Sequence, residues 1–167
     1  MWIGAIKLRV STKDSTDSGT DHVVRAGVLR DGNELARLEL DYADENDLER
    51  GAVRSYYYSD LPRRNHHTPE LPAGVGQSPM PYPDHGFEFS DGVNGHMKLR
   101  LRIHGDDKWV KDKVDLYVKE IRNVATSFDT MAWQEDATWT FVGSWPMDVP
   151  MSTDFSEGAA TWTLTLQ

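Results

Sequence analysis

Between Met97 and His104 apolar and polar residues alternate one by one. Met97, Leu99, Leu101 and Ile103 fall on one side and Lys98, Arg100, Arg102 and His104 on the other. A side-chain period of two gives an extended chain one dry and one wet face, so the segment is predicted to be a β-strand lying over a core. The period recurs in Ile6, Leu8 and Val10, in Ala36, Leu38, Leu40 and Tyr42, and in Val114, Leu116 and Val118. Apolar or β-branched runs at 22–29, 53–58, 139–141 and 162–166 complete about eight predicted strands. Without a long amphipathic helix, this pattern predicts an all-β fold: an antiparallel eight-stranded β-sandwich.

Turn residues suggest how the strands connect. Asp31-Gly32-Asn33 separates the runs at 22–29 and 36–42 and predicts a hairpin. Asp106-Asp107 separates the strand at 97–104 from Val114–Val118, and a second hairpin is expected there. Six prolines (Pro62, Pro69, Pro72, Pro79, Pro81 and Pro83) with Gly74, Gly76 and Gly86 mark a long Pro/Gly-rich insertion, irregular over about 61–96.

The length of 167 residues suits one domain spanning 1–167, and 38% apolar content with six Trp, six Tyr and five Phe is that of a folding chain. The formal net charge of -9 argues against nucleic acid as partner, because that affinity needs Lys and Arg to replace counterions. Charge is unevenly spread. Residues 31–49 hold eight acids and one Arg, whereas residues 97–122 hold eight Lys or Arg against five acids. There is no cysteine, which removes disulfides, thiolate zinc sites and thiol nucleophiles. The opening Met1–Lys7 shows no basic leader before a long apolar run, and no stretch is long and apolar enough for a spanning helix, so a soluble chain of undetermined compartment is expected.

The order of these signals resembles the PLAT/LH2 family, a sandwich found in lipoxygenases, some lipases, a bacterial phospholipase toxin and polycystins. Ile6–Val10 followed by Thr12, Asp14 and Ser18-Gly19-Thr20-Asp21 is similar to the family's first strand, its Thr-Gly-Asp turn and its Ala-Gly-Thr-Asp, with Lys13 in place of the turn glycine and Ser18 in place of the alanine. Leu48–Tyr56 resembles Phe-x-Arg-Gly-x-x-Asp-x-Phe, with Arg54 departing from the acid. Leu101–Trp109 with Val114–Val118 looks like the family's strand, acidic turn, Trp and returning strand. Trp139-Thr140-Phe141-Val142-Gly143-Ser144-Trp145 is similar to its aromatic-x-Phe-x-x-x-x-Trp.

Calcium takes several oxygen ligands from flexible loops. Asp14, Asp17, Asp21 and the Gly19 carbonyl on one loop, with Asp106 and Asp107 on another, would supply them where the two loops share an edge, and the resemblance implies that they do. The competing expectation is that these Asp and Ser residues only close turns through their own backbone. The resemblance also implies docking on a membrane surface or a protein partner through loop-tip side chains. Met131 and Trp133, Tyr82 beside Met80-Pro81, and Trp145-Pro146-Met147 are the candidates, while Trp109, Trp139 and Trp162 are expected to be core. Lys98, Arg100 and Arg102 would attract an anionic lipid or acidic protein, or else oppose acids such as Glu39 and Asp41 on a neighbouring strand.

No Gly-x-Ser-x-Gly, His-Glu-x-x-His or phosphate-cradling glycine loop is present, so no catalytic residue is assigned. Adjacent His66-His67 gives no metal-ligand spacing for regular structure. The expectation is a non-catalytic binding module. The alternative is a structural or adaptor subunit of a phage-like or secretion assembly, homo-oligomeric or part of a larger complex, whose insertion and sheet edges pair with neighbouring chains.

Overall fold

The computed structural model describes residues 2–40, 48–59, 87–88, 97–127, 130–135 and 138–166. In chain order the strands are β1 (Trp2–Thr12), β2 (Val24–Arg30), β3 (Asn33–Glu39), β4 (Val53–Ser59), β5 (Phe87–Glu88), β6 (Met97–Ile103), β7 (Trp109–Ser127), β8 (Thr130–Glu135), β9 (Thr140–Met151) and β10 (Thr161–Thr165). They make two antiparallel sheets. One runs β4-β1-β7-β8, with β5 paired to β1 and β9 paired to β7; the other runs β10-β6-β2-β3. Ile6, Leu8, Val114 and Leu116 of the larger sheet face Val24, Val28, Leu99 and Leu101 of the smaller, each 1% exposed or less. Burying a side chain of this size stabilises the fold by roughly 1.5–3 kcal/mol. The expected all-β sandwich is therefore observed, with β5 and β8 beyond the eight strands expected. Among the described residues no helix is long and apolar enough to cross a membrane.

The β2–β3 hairpin forms at the predicted turn. Asp31 (φ 50°) and Gly32 (φ 85°) both sit in the left-handed region, the two-residue geometry whose twist matches that of the flanking strands.

The second expected hairpin does not form. β6 lies between β10 and β2 in the smaller sheet, β7 lies beside β1 and β9 in the larger one, and residues 104–108 cross between the sheets. Each strand turns an apolar face to the core, but from opposite sides. The crossing is tight: a Cβ added to Gly105 would stand 2.1 Å from the His22 ring, so only glycine fits there.

Two irregularities re-phase the larger sheet. Ile3 pairs with Glu120 but Ala5 with Lys119, leaving Gly4 unmatched, and Ser11 pairs with Lys113 but Thr12 with Lys111, leaving Asp112 unmatched. One extra residue switches the face that every later side chain occupies. Trp109 and Lys111 consequently point inward along with Val114, Leu116 and Val118, and all five are buried. Trp109 is fully enclosed as expected, whereas Trp139 and Trp162 are half-buried.

Trp109 is tied to its surroundings by a polar chain. Its indole Nε1 donates to Thr12 Oγ1 at 3.0 Å, and the Thr12 hydroxyl donates to the Leu48 carbonyl at 3.3 Å. Lys111 Nζ donates to the Val149 carbonyl at 3.2 Å and lies 4.7 Å from the centroid of the Trp162 ring. Loss of water pushes its pKa down from 10.5 to about 8.

Thr12→Val should leave the Trp109 N–H buried without an acceptor and cost about 1–3 kcal/mol, read from the urea midpoint at unchanged slope. A second prediction concerns Lys111. Between about pH 8 and 10.5 the unfolded chain holds the Lys111 proton more tightly than the folded one, so stability rises with pH across that window and the burial cost is constant below it. Lys111→Met should therefore be more stable than the wild type below pH 8, by up to about 3 kcal/mol, with the advantage shrinking towards pH 10.5. Denaturant titrations of the two proteins over this range check it.

Candidate functional site at the acidic pole

Four loops meet at one pole of the sandwich: residues 13–23, 48–52, the crossing 104–108 and the β9–β10 connection 152–160. Backbone hydrogen bonds hold them together. Val110 N donates to the Ser18 carbonyl at 2.9 Å, Thr20 N to the Leu48 carbonyl at 3.2 Å, and Thr153 N to the Gly105 carbonyl at 2.9 Å. Ser18 is fully buried, its hydroxyl 2.6 Å from the Ser15 carbonyl, and this fixes the first loop from inside. Gly19 is needed for close approach, since a Cβ there would lie 2.9 Å from Arg50 N.

Between the loops opens a cleft of about 480 Å³, lined by Asp17, Gly19, Asp21, Glu49, Asp107 and Glu157 with Arg50 and Lys108. The structure thus brings Asp17, Gly19 and Asp21 of the opening loop beside Asp107 of the crossing. It does not add Asp14 or Asp106. Asp14 Oδ1 accepts from Arg50 Nε at 2.7 Å, and Asp106 Oδ1 lies 3.3 Å from His22 Nε2. The donor chemistry of the cleft suits a hard cation, being carboxylate and carbonyl oxygen. Its geometry is not that of a closed shell: among the described residues no three carboxylates or imidazoles converge to hold a metal.

The β9–β10 connection adds a feature that sequence reading missed. Asp154 Oδ1 accepts from both the amide (2.8 Å) and the hydroxyl (2.7 Å) of Ser156, which holds the Asp154 carboxyl below its usual pKa. Glu157 N donates to the Asp154 carbonyl at 3.0 Å, Asp154 N to Ser152 Oγ at 2.9 Å, and Ser152 Oγ to the Asp106 carbonyl at 2.7 Å. This tight turn projects Phe155, which is 88% exposed, beside the cleft that Glu157 lines. The signal was legible, because Asp154 two residues before Ser156 is an Asx-turn pattern and an isolated aromatic inside it has no strand face to occupy.

The expected docking loops stand elsewhere. Met131 and Trp133 belong to strand β8, paired with Ala125 and Asn123 of β7, rather than to a loop tip. β7 runs far enough past β9 to need a second partner on that edge, and 130–135 supplies it. Trp145-Pro146-Met147 likewise falls within β9. Tyr82, His66, His67 and Asp41 lie outside the described residues. Lys98, Arg100 and Arg102 occupy the outer face of the smaller sheet as the alternation predicts. The strands beside β6 are β10 and β2, so Glu39 of β3 is not its direct neighbour, and the β3 acid that does meet this face is Glu34, reaching across β2. Arg100 Nη2 donates to its Oε2 at 2.6 Å.

No protein-family model and no curated protein matches the chain. Solved structures do. A crystal structure of coral 8R-lipoxygenase, described as calcium-activated via a C2-like domain, matches with a TM-score of 0.52 and 16% identity over 97% of this chain. The alpha-toxin of Clostridium perfringens from an avian strain matches with a TM-score of 0.54 and 11% identity over 98%. A LOX variant in complex with arachidonate matches with a TM-score of 0.50 and 13% identity over 98%. The chain spans only 17%, 31% and 16% of these three proteins. At such identities the likeness is one of fold, and the fold is the C2-like, PLAT-type antiparallel β-sandwich.

Proposed function

We propose that this chain is a non-catalytic docking module that brings its acidic pole to a lipid surface. The observation that carries the reading is Phe155, held almost fully exposed on a hydrogen-bonded turn next to the cleft. Exposing a large apolar side chain on a rigid support costs free energy in water and is repaid where that side chain enters an apolar phase. The turn keeps its hydrogen bonds within itself, so insertion leaves few backbone groups to desolvate.

Calcium has a definite part in this reading. The cleft carries the carboxylates of Asp17, Asp21, Glu49, Asp107 and Glu157 against Arg50 and Lys108, so the pole repels anionic headgroups on its own. A calcium ion among these oxygens offsets most of that excess negative charge and so weakens the repulsion, each charge close to an anionic surface being worth on the order of 1 kcal/mol. Recruiting Asp14 and Asp106 as further ligands requires them to leave Arg50 and His22, both exposed contacts of little individual worth. The similar lipoxygenase described as calcium-activated supports the choice of ion.

Co-sedimentation with phosphatidylcholine–phosphatidylserine vesicles tests the proposal. Binding is expected with calcium and is expected to fall when a chelator is added. Phe155→Ser should weaken it about tenfold or more while leaving the thermal midpoint unchanged, because the ring packs on nothing. Vesicle binding equal in the wild type and Phe155→Ser would remove Phe155 from the mechanism; no vesicle response under either condition, with stable self-association, would favour the structural-subunit reading instead.

A further inference from the structure

The outer face of the smaller sheet carries a second, separate site. Strand register sets Thr161, Arg102, Arg25 and Glu39 in one row across β10, β6, β2 and β3, and Thr163, Arg100, Gly27 and Arg37 in the next. A groove of about 150 Å³ runs over these rows, walled by Arg25, Arg37, Arg100, Arg102 and His104 with Gly27 in its floor. Glu34 reaches into it from β3 and takes up two of the guanidiniums: Arg100 Nη2 at 2.6 Å on Oε2, and Arg37 Nε at 2.5 Å on Oε1. Gly27 makes room for that carboxylate, since a Cβ there would lie 2.8 Å from Glu34 Oε2.

The other two guanidiniums are less fully neutralised. Arg25 and Arg102 are direct cross-strand partners, an arrangement that destabilises a sheet when both carry the same charge. Arg25 Nε stops 3.6 Å from Glu39 Oε2 and is buried without a hydrogen-bond acceptor. Arg102 has no ion pair or hydrogen bond among the described residues. Beside them, His104 is held below its ordinary pKa by burial and then by Arg25 and Arg102, with Arg37 of β3 adding to this and Glu39 of β3 opposing it. A buried donor without an acceptor and a like-charged pair with a gap over it are both resolved by one ligand, an oxyanion seated between the two guanidiniums. Planar guanidiniums suit the oxygen geometry of phosphate in particular.

We propose that this groove binds a phosphomonoester dianion, clamped by Arg25 from β2 and Arg102 from β6. Glu34 keeps Arg37 and Arg100 occupied, which confines the ligand to the Arg25–Arg102 row. His104 lines the same groove beside the clamp. The site needs neither calcium nor Phe155, so it stands or falls apart from the docking proposal.

The test is titration of the protein, with chelator present and at low ionic strength, by inorganic phosphate and by glycerol 3-phosphate. Saturable binding is expected, with the His104 ring resonances moving as ligand binds. Arg102→Gln should weaken binding at least tenfold, and in phosphate-free buffer it should raise the thermal midpoint by removing the like-charge pair. Arg25→Gln should do the same, and Lys13→Gln, which alters an ion pair with Asp148 away from the groove, should leave binding unchanged. Vesicles of phosphatidylcholine with phosphatidic acid, again without calcium, identify the source. Uptake that is lost in Arg102→Gln assigns a lipid headgroup, whereas glycerol 3-phosphate binding without vesicle uptake assigns a soluble ester. Phosphate binding by Arg102→Gln equal to the wild type, or an unsaturable response shared by both proteins, would overturn the site.

Discussion

The fold depends on one buried hydrogen-bonded chain, from the Trp109 indole through the Thr12 hydroxyl to the Leu48 carbonyl. Trp109 opens β7, Thr12 closes β1, and Leu48 precedes β4, so three segments of the larger sheet are fixed to one another at a single point. Each bond contributes only about 1 kcal/mol net, but each is costly to leave unmade in a dry interior. The pole is built outward from there. The loop after Thr12, the turn before β4 and the crossing before Trp109 all leave this point, which is why residues distant in sequence face one cleft.

Much of this architecture was legible in the alternation of β1, β3, β6 and β7, because a period of two cannot be satisfied by a helix. What alternation omits is which sheet a dry face belongs to. β6 and β7 read alike as a hairpin and as a crossing between sheets; in the crossing Gly105 leaves room for the His22 ring. Alternation also fails at bulges. Trp109 and Val114 lie an odd number of residues apart and yet both face inward, because Asp112 is the extra residue. That same shift carries Lys111 into the core, where a strict reading of the pattern leaves its orientation unassigned. β8 escaped notice for a different reason: Thr130–Glu135 has no clean alternation and is made a strand by the length of β7 beside it.

The candidate site was legible to a similar extent. Asp17, Gly19, Asp21 and Asp107 line one cleft because β1 and β7 are paired and their connecting loops leave at the same end. Asp14 and Asp106 were drawn away by nearer partners, Arg50 and His22, and sequence spacing holds no information about such competition. Phe155 carries a fainter sequence signal than the tryptophans. In a sandwich a tryptophan next to a strand has core to cover, whereas a phenylalanine between Asp154 and Ser156 sits in a turn that the flanking polar atoms have already closed.

The acidic pole and the arginine groove are neighbours, and the same two strands explain both. β2 starts just after His22 and β6 ends just before His104, so the row holding Arg25 and Arg102 follows directly upon the bend holding Asp106 and Asp107. Strand alternation places the arginines on the outer sheet face, while the turn places the aspartates at the tip. A net charge of -9 therefore says little about what either surface attracts. Exposed charges farther apart than about 8 Å are largely screened at physiological ionic strength, so a ligand in the groove experiences Arg25, Arg102 and His104 rather than the sum over the chain. Overall charge is a sound argument against long polyanions, which span many such distances at once, and a weak one against a single oxyanion held between two guanidiniums.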